Sequence, residues 1–231
     1  MRNINMDIKI DKIIRSKRRT VALVVMQDAS LVIRAPLRAP LEYIYKFVDE
    51  KKEWIKKKQE HFLDKPDKYR PVQFVNGEIF YLTGILFKLE VIAGAKPRIQ
   101  INKSEGKLEI TEGVLKNPKK YFSNWYKKHA KEIITNRVEW FAGCLGFKYK
   151  SITINSASSR WGSCGPRNTL NFSWRLVTAP MSVIDCVVVH ELVHTEIKNH
   201  SHKFYARLGS VLPDYKECEK WLKENNRIMS F

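Results

Sequence analysis

Apolar residues along this chain fall into two rhythms, and the alternation between them lays out the elements. Residues 7–14, 21–26 and 30–33 are short runs rich in Ile and Val, which reads as strands. Gln27-Asp28-Ala29 turns the last two into a hairpin. Pro36 and Pro40 punctuate the chain, and over about residues 41–62 the spacing lengthens to three and four (Ile44, Phe47, Val48, Ile55, Phe62), the mark of a helix. From Pro71 to about Thr111 strand character returns, with runs at 78–82 and 85–92 around a Thr83-Gly84 turn and another at 107–111. Pro118 then opens a long helix that carries Phe122, Trp125, Tyr126, Ile133, Ile134 and Phe141 on its apolar side. Gly143 to Gly146 ends it near Leu145.

Residues 151–155 and 169–176 read as strands, with a loop of sequence Arg160-Trp161-Gly162-Ser163-Cys164-Gly165-Pro166 between them. From about Ser182 the pattern changes again. Val183, Ile184, Val187, Val188, Val189, Leu192 and Val193 surround a helix almost completely with apolar surface, so this helix belongs at the centre of a core. Ser182 and Asp185 suit a capping-box-like pair at its start. Asn199, tolerant of the left-handed conformation, is placed to end it. Two short helices fit residues 201–212 and 213–225.

Composition changes this picture in one respect. A hydrophobic share of 44% is ordinary for a folded protein, but 42 Lys+Arg against 24 Asp+Glu give a net charge of +18. Such an excess concentrates polyanions, which points to nucleic acid, nucleotides or an acidic partner. A solvated basic face is the plainer reading for Lys51, Lys52, Lys56, Lys57 and Lys58, which crowd one helix. No run approaches the roughly 18 apolar residues of a membrane span, and the charged start of the chain lacks the apolar core of a secretory signal. Cys144, Cys164, Cys186 and Cys218 include no CxxC pair and suit a reducing cytosol. The expectation is a cytoplasmic protein without a membrane anchor.

Two histidines interrupt the apolar helix. His190-Glu191-Leu192-Val193-His194 is an HExxH, and residues four apart lie one turn apart on one face, so both imidazoles can reach one ion. Glu191, beside the first of them, can take a proton from a metal-activated water. Polar groups inside an apolar helix cost roughly 2–7 kcal/mol without a partner, and a metal supplies one. A catalytic zinc takes three protein ligands and keeps one position for water. Glu196, His200, His202, Glu217 and Glu219 are the sequence candidates for the third. His200 follows His194 by six residues, the metzincin spacing, but metzincins turn at a glycine where this chain has Ile197. That assignment fails, and the turn is expected at Asn199 instead. His202 on a wider turn and a downstream Glu stay open.

Further motifs follow one another around this segment. They are Ser159-Arg160-Trp161-Gly162-Ser163-Cys164, Leu170-Asn171-Phe172-Ser173-Trp174-Arg175-Leu176, Pro180, Val183-Ile184-Asp185, the HExxH and Asn199-His200-Ser201. With Arg15-Ser16-Lys17-Arg18-Arg19-Thr20, Pro213, Tyr215 and Trp221-Leu222, the series resembles the YgjP-like metallopeptidase family, related to SprT-like and WLM proteases, over nearly the whole chain. The resemblance implies a zinc peptidase whose third ligand is the histidine of the Asn-His-Ser element, here His200. His202 falls at a position that the family leaves variable. The implied fold is α+β: a β-rich N-terminal region with one basic helix over residues 1–115, then a zincin-like helical unit with a short edge-strand sheet over 116–231.

Zincin peptidases commonly bind substrate as a strand added to a sheet edge beside the metal, and the strand 169–176 is placed to supply that edge. Arg160 suits an oxyanion, a phosphate or a carboxylate. Asn171 and Tyr205 complete the candidate substrate-binding set, although core packing accounts equally well for Phe204-Tyr205. Trp161 and Gly162 read as shaping their loop, Cys164 as a small buried hydrophobe and Asp185 as a cap or structural partner.

Three functions remain in view. The first is hydrolysis of protein or peptide substrates, with the charge and the SprT-like kinship suggesting proteins associated with DNA. The second keeps the metal and changes the bond, as a nucleotide pyrophosphatase of the UTP type, for which Arg160 and a basic surface are useful. No P-loop supports it, and phosphoanhydride sites more often hold Mg²⁺ on carboxylates. The third is a nucleic-acid-binding module with a structural metal, against which stand the three-ligand count and the Glu beside the first His.

Overall fold

Leu31, Ile33 and Ala35 alternate inward along strand β3 (Leu31–Pro36) with no exposed surface, and that alternation seats a small sheet. The computed structural model describes residues 8–26, 28–63 and 72–225. Asp7, Gln27 and Pro71, which bound a strand, a turn and the return to strand character in the sequence reading, lie outside the described residues. The chain divides into two compact units, Met1–Pro71 and Val72–Phe231.

In the first unit β1 (Lys12–Ser16) runs parallel to β3 and β2 (Ala22–Val25) antiparallel to it, in the order β1-β3-β2. Helices α1 (Leu41–Glu50) and α2 (Lys52–Leu63) bring Ile44, Val48 and Ile55 to the core formed with Leu31 and Ile33. The pattern over 41–62 suggests one helix, and the structure has two. Lys51 leaves helical geometry at φ −108° and ψ 11°. Residues 49–54 are all exposed, so no packing holds the helix straight at that point.

Among the described residues the second unit has two sheets. Strands β4 (Ile79–Leu82), β5 (Ile85–Ile92), β6 (Ile99–Asn102) and β7 (Lys107–Thr111) pair in the order β4-β5-β7-β6. The β4–β5 hairpin closes at Thr83 and Gly84, as the turn signal predicts. The other sheet has β8 (Ser151–Asn155), β9 (Gly162–Cys164) and β10 (Thr169–Ser173) in the order β8-β10-β9. Strand β10 is parallel to β8 and antiparallel to β9.

Among the described residues the α-helices that accompany these sheets are α3 (Pro118–Leu145), α4 (Met181–Glu196), α5 (His202–Val211) and α6 (Tyr215–Glu224). Phe122, Tyr126, Ala130, Ile134 and Val138 recur every fourth residue along α3 with no exposed surface. Gly146 ends α3 in the left-handed conformation at φ 74°. One apolar core joins α3 and α4 to Leu89 and Ile110 of the first sheet and to Leu170 and Phe172 of the second. The Tyr126 hydroxyl donates to the Tyr81 carbonyl at 2.9 Å, tying α3 to β4. The architecture is α+β, and among the described residues no helix is long and apolar enough to cross a membrane.

Several local expectations change. The strand over 169–176 stops at Ser173 and gives way to a 3₁₀ helix, Trp174–Thr178. Because β10 is the central strand, it has no free edge to offer. The edge beside α4 belongs to β9, inside the segment that reads as a loop. Helix α4 starts at Met181 without a side-chain cap. Pro180 is already extended at ψ 150°, and its carbonyl accepts from the N–H groups of Val183 and Ile184. Asp185 instead makes a bidentate ion pair with Arg137 of α3, at 2.5 and 2.9 Å. The helix ends at Glu196, and Ile197 leaves it in an extended conformation at φ −124° and ψ 103°, before Asn199 is reached.

Candidate metal centre

The apolar sequence of α4 explains why its polar residues sit where they do. Val188, Val189, Leu192 and Val193 have no exposed surface, and they carry Glu191 and His194 into the interior at 5% and 8% exposure. His190 is half-buried and lies on the same face one turn earlier. The extended step at Ile197 turns the chain back, and His200 arrives just ahead of α5. Phe204, fully buried in the first turn of α5, places its ring 4.9, 4.4 and 4.8 Å from the rings of His190, His194 and His200. It is the apolar backing against which all three imidazoles stand.

The ring nitrogens converge. His200 Nε2 lies 3.1 Å from both His194 Nε2 and His190 Nε2, and the ligand atoms of the three residues all lie within 4.8 Å of one another. His194 Nδ1 faces the Ile197 carbonyl at 2.9 Å. A carbonyl only accepts, so Nδ1 carries the proton and Nε2 of the neutral ring presents a bare lone pair to the cluster. His200 Nε2 carries either one proton or one lone pair, so at most one of its two 3.1 Å contacts can be a hydrogen bond. Nitrogens sharing a tetrahedral ion at ~2.0–2.1 Å stand roughly 3.3 Å apart, close to the 3.1 Å that separates His200 Nε2 from each of the other two. The donor set therefore fits a divalent metal of the kind that imidazole prefers. Burial, followed by the neighbouring His194 and His200, lowers His190 to about 4. Burial also lowers His194, although the Ile197 carbonyl opposes it. Both rings are therefore neutral at neutral pH, the form in which imidazole binds a metal.

Glu191 stands beside this cluster. Its Oε2 is buried and has no hydrogen-bond partner, and burial raises the carboxyl to about 8. Strand β9 presses against it: a Cβ on Gly162 would fall 2.6 Å from Glu191 Oε1. Any side chain at 162 would force the strand or the carboxylate to shift. Gly162 has a role that a loop assignment hides, and the signal available in the sequence is a glycine following Trp161 in the motif before the HExxH.

The remaining candidates are spread more widely. Arg160 is exposed and lines a hollow of about 310 Å³ with Ser158, Ser159, Trp161, Ser173 and Arg175. Asn171 lies on the central strand β10, where its side-chain amide donates to the Thr169 carbonyl at 3.4 Å. Tyr205 is 36% exposed, its ring 6.2 Å from that of His200 and stacked at 6.0 Å on Tyr215. Among the alternative third ligands, Glu196 pairs with Arg207 at 3.3 Å and His202 is exposed on α5. Cys164 accepts from Lys198 Nζ at 3.6 Å, and burial raises its thiol.

A family model described as YgjP-like, metallopeptidase domain, matches residues 19–225. No curated protein matches the chain. Among solved structures the chain is similar to the metallopeptidase zymogen of Pyrococcus abyssi abylysin, at 17% identity and a TM-score of 0.37, over 42% of this chain and 99% of that one. So slight a structural likeness carries no argument about the chemistry.

Proposed function

The chain belongs to the YgjP-like metallopeptidase family, and from that premise we propose that it is a zinc peptidase in which His190, His194 and His200 hold the ion and Glu191 moves the proton. The observation that carries this reading is the convergence of three imidazole nitrogens beside a buried, unpartnered carboxyl oxygen. Zinc suits a donor set made of nitrogens, and no carboxylate belongs to the cluster among the described residues. That composition also disfavours the phosphoanhydride reading.

A divalent ion so held supplies Lewis acidity that acidifies a water and polarises the scissile carbonyl. Glu191 Oε2 has no competing partner for the proton it takes from the attacking water. Burial raises this carboxyl to about 8 in the metal-free protein, and a neighbouring divalent cation would favour the ionised form that accepts the proton and returns it to the leaving amine. Gly162 keeps β9 against that carboxylate, and as the edge strand of its sheet β9 offers backbone groups to an extended peptide. Phe204 holds the three rings in register.

The finer proposals are a cytoplasmic location and substrates associated with DNA. Four free cysteines support the first. A net charge of +18 and the exposed Lys51, Lys52, Lys56, Lys57 and Lys58 around α2 support the second.

Metal content tests the ligand set. Elemental analysis should find about one zinc per chain in the wild-type protein and in His202→Ala, and at least about tenfold less in His200→Ala. Zinc retained by His200→Ala and lost from His202→Ala would overturn the assignment.

A further inference from the structure

Beside the metal centre lies an open cleft of about 190 Å³, in which the apolar walls Trp161, Val187, Leu208 and Leu222 meet His190 and Glu191. Four elements of the second unit contribute to it: the β9 segment, α4, α5 and α6. Its capacity is below the roughly 300–1,000 Å³ of pockets that enclose a drug-sized ligand, and it suits a single large side chain. About six waters fill such a space at ~30 Å³ each, and releasing them from apolar walls is favourable.

Chemistry narrows the occupant. Besides Glu191, the charged group in the lining is Glu219, exposed on α6, which disfavours an acidic side chain. Cys186, also in the lining, is held as a neutral thiol by its burial and behaves as a small apolar surface. Position narrows it further. His190 and Glu191 both line the cleft and belong to the reacting centre, so a substituent one bond from the reacting amide reaches it while more distant residues do not. Side chains alternate across an added strand, so the neighbours of that residue point elsewhere.

Resting on the peptidase reading above, we propose that this cleft is the specificity pocket, receiving the side chain of one residue that flanks the scissile bond. It selects large apolar side chains such as Leu, Met and Phe over Gly, Ala and acidic residues. Leu222 is the wall best suited to a test, because α6 has no fully buried residue and tolerates change there.

The experiment uses zinc-loaded full-length protein and a series of peptides that differ at one position, among Gly, Ala, Leu, Phe, Lys and Glu, with cleavage sites read by mass spectrometry. The wild-type protein should cut beside Leu or Phe with kcat/KM at least about tenfold above Gly. Leu222→Trp should lower that ratio about tenfold or more, and Leu222→Ala should shift preference from Leu towards Phe. Cleavage without apolar preference, or a ratio unchanged in both variants, overturns the pocket and leaves the peptidase reading standing. A preference for Lys abolished by Glu219→Gln overturns the apolar assignment. Zinc-loaded protein that cuts no peptide overturns the peptidase reading and the pocket with it.

Discussion

At the scale of single residues, Glu191 joins an apolar helix to the acid–base task proposed for it. Burial raises its carboxyl from 4.5 to about 8, so the folded, metal-free protein holds this proton more tightly than the unfolded chain does. The stability that this group contributes is therefore full below about 4.5 and is lost as pH rises through about 8. Chemical denaturation of metal-free protein across that range should show the wild type losing stability relative to Glu191→Gln, by up to about 1.4 kcal/mol per pH unit. His190, lowered to about 4, acts in the opposite sense, costing stability as pH falls below 6.5. It is common to both proteins and cancels in the comparison. A difference that does not change with pH contradicts the burial argument. Much at this scale was legible in the chain, since four-residue spacing alone brings His190 and His194 to one face. His200 was less so: spacing left it among several candidates, and its return depends on packing against Phe204, a long-range fit with no local pattern.

At the scale of elements, the three residues of β9 matter most. Gly162-Ser163-Cys164 has no β-branched or aromatic residue and reads as loop; it becomes a strand through antiparallel pairing with β10. Strand β6 is a four-residue strand held by β7, and α4 ends at Glu196 without the left-handed residue that a sequence pattern looks for. The long apolar stripe of α3 and the all-round apolar surface of α4 were legible, because burial dictates periodicity directly. The contact between β9 and Glu191 gives the element-scale prediction. Gly162→Ala puts a methyl group 2.6 Å from Glu191 Oε1, so strand or carboxylate must shift. Turnover of a peptide substrate should fall about 100-fold with zinc content unchanged, the effect of an ångström's misplacement. Activity within twofold of the wild type would show that the strand does not position Glu191.

At the scale of the whole molecule, the fold class was legible from strands followed by helices, and the apolar core of the second unit gathers both its sheets around α3 and α4. Charge is the other molecular property. A basic surface that engages DNA obeys counterion release, so log K should fall with log salt by ~0.9 per phosphate neutralised. Replacing Lys56, Lys57 and Lys58 together by Gln should reduce that slope by about 2–3, measured by fluorescence anisotropy on duplex DNA. Binding that ignores salt contradicts the DNA reading. Hydrolysis of an unfolded protein by zinc-loaded wild type and by zinc-loaded Glu191→Gln tests the proposed chemistry most directly. The variant should keep its zinc and lose at least about 100-fold in kcat/KM. Equal activity in the two proteins, or hydrolysis of nucleoside triphosphates with none of protein, would contradict it.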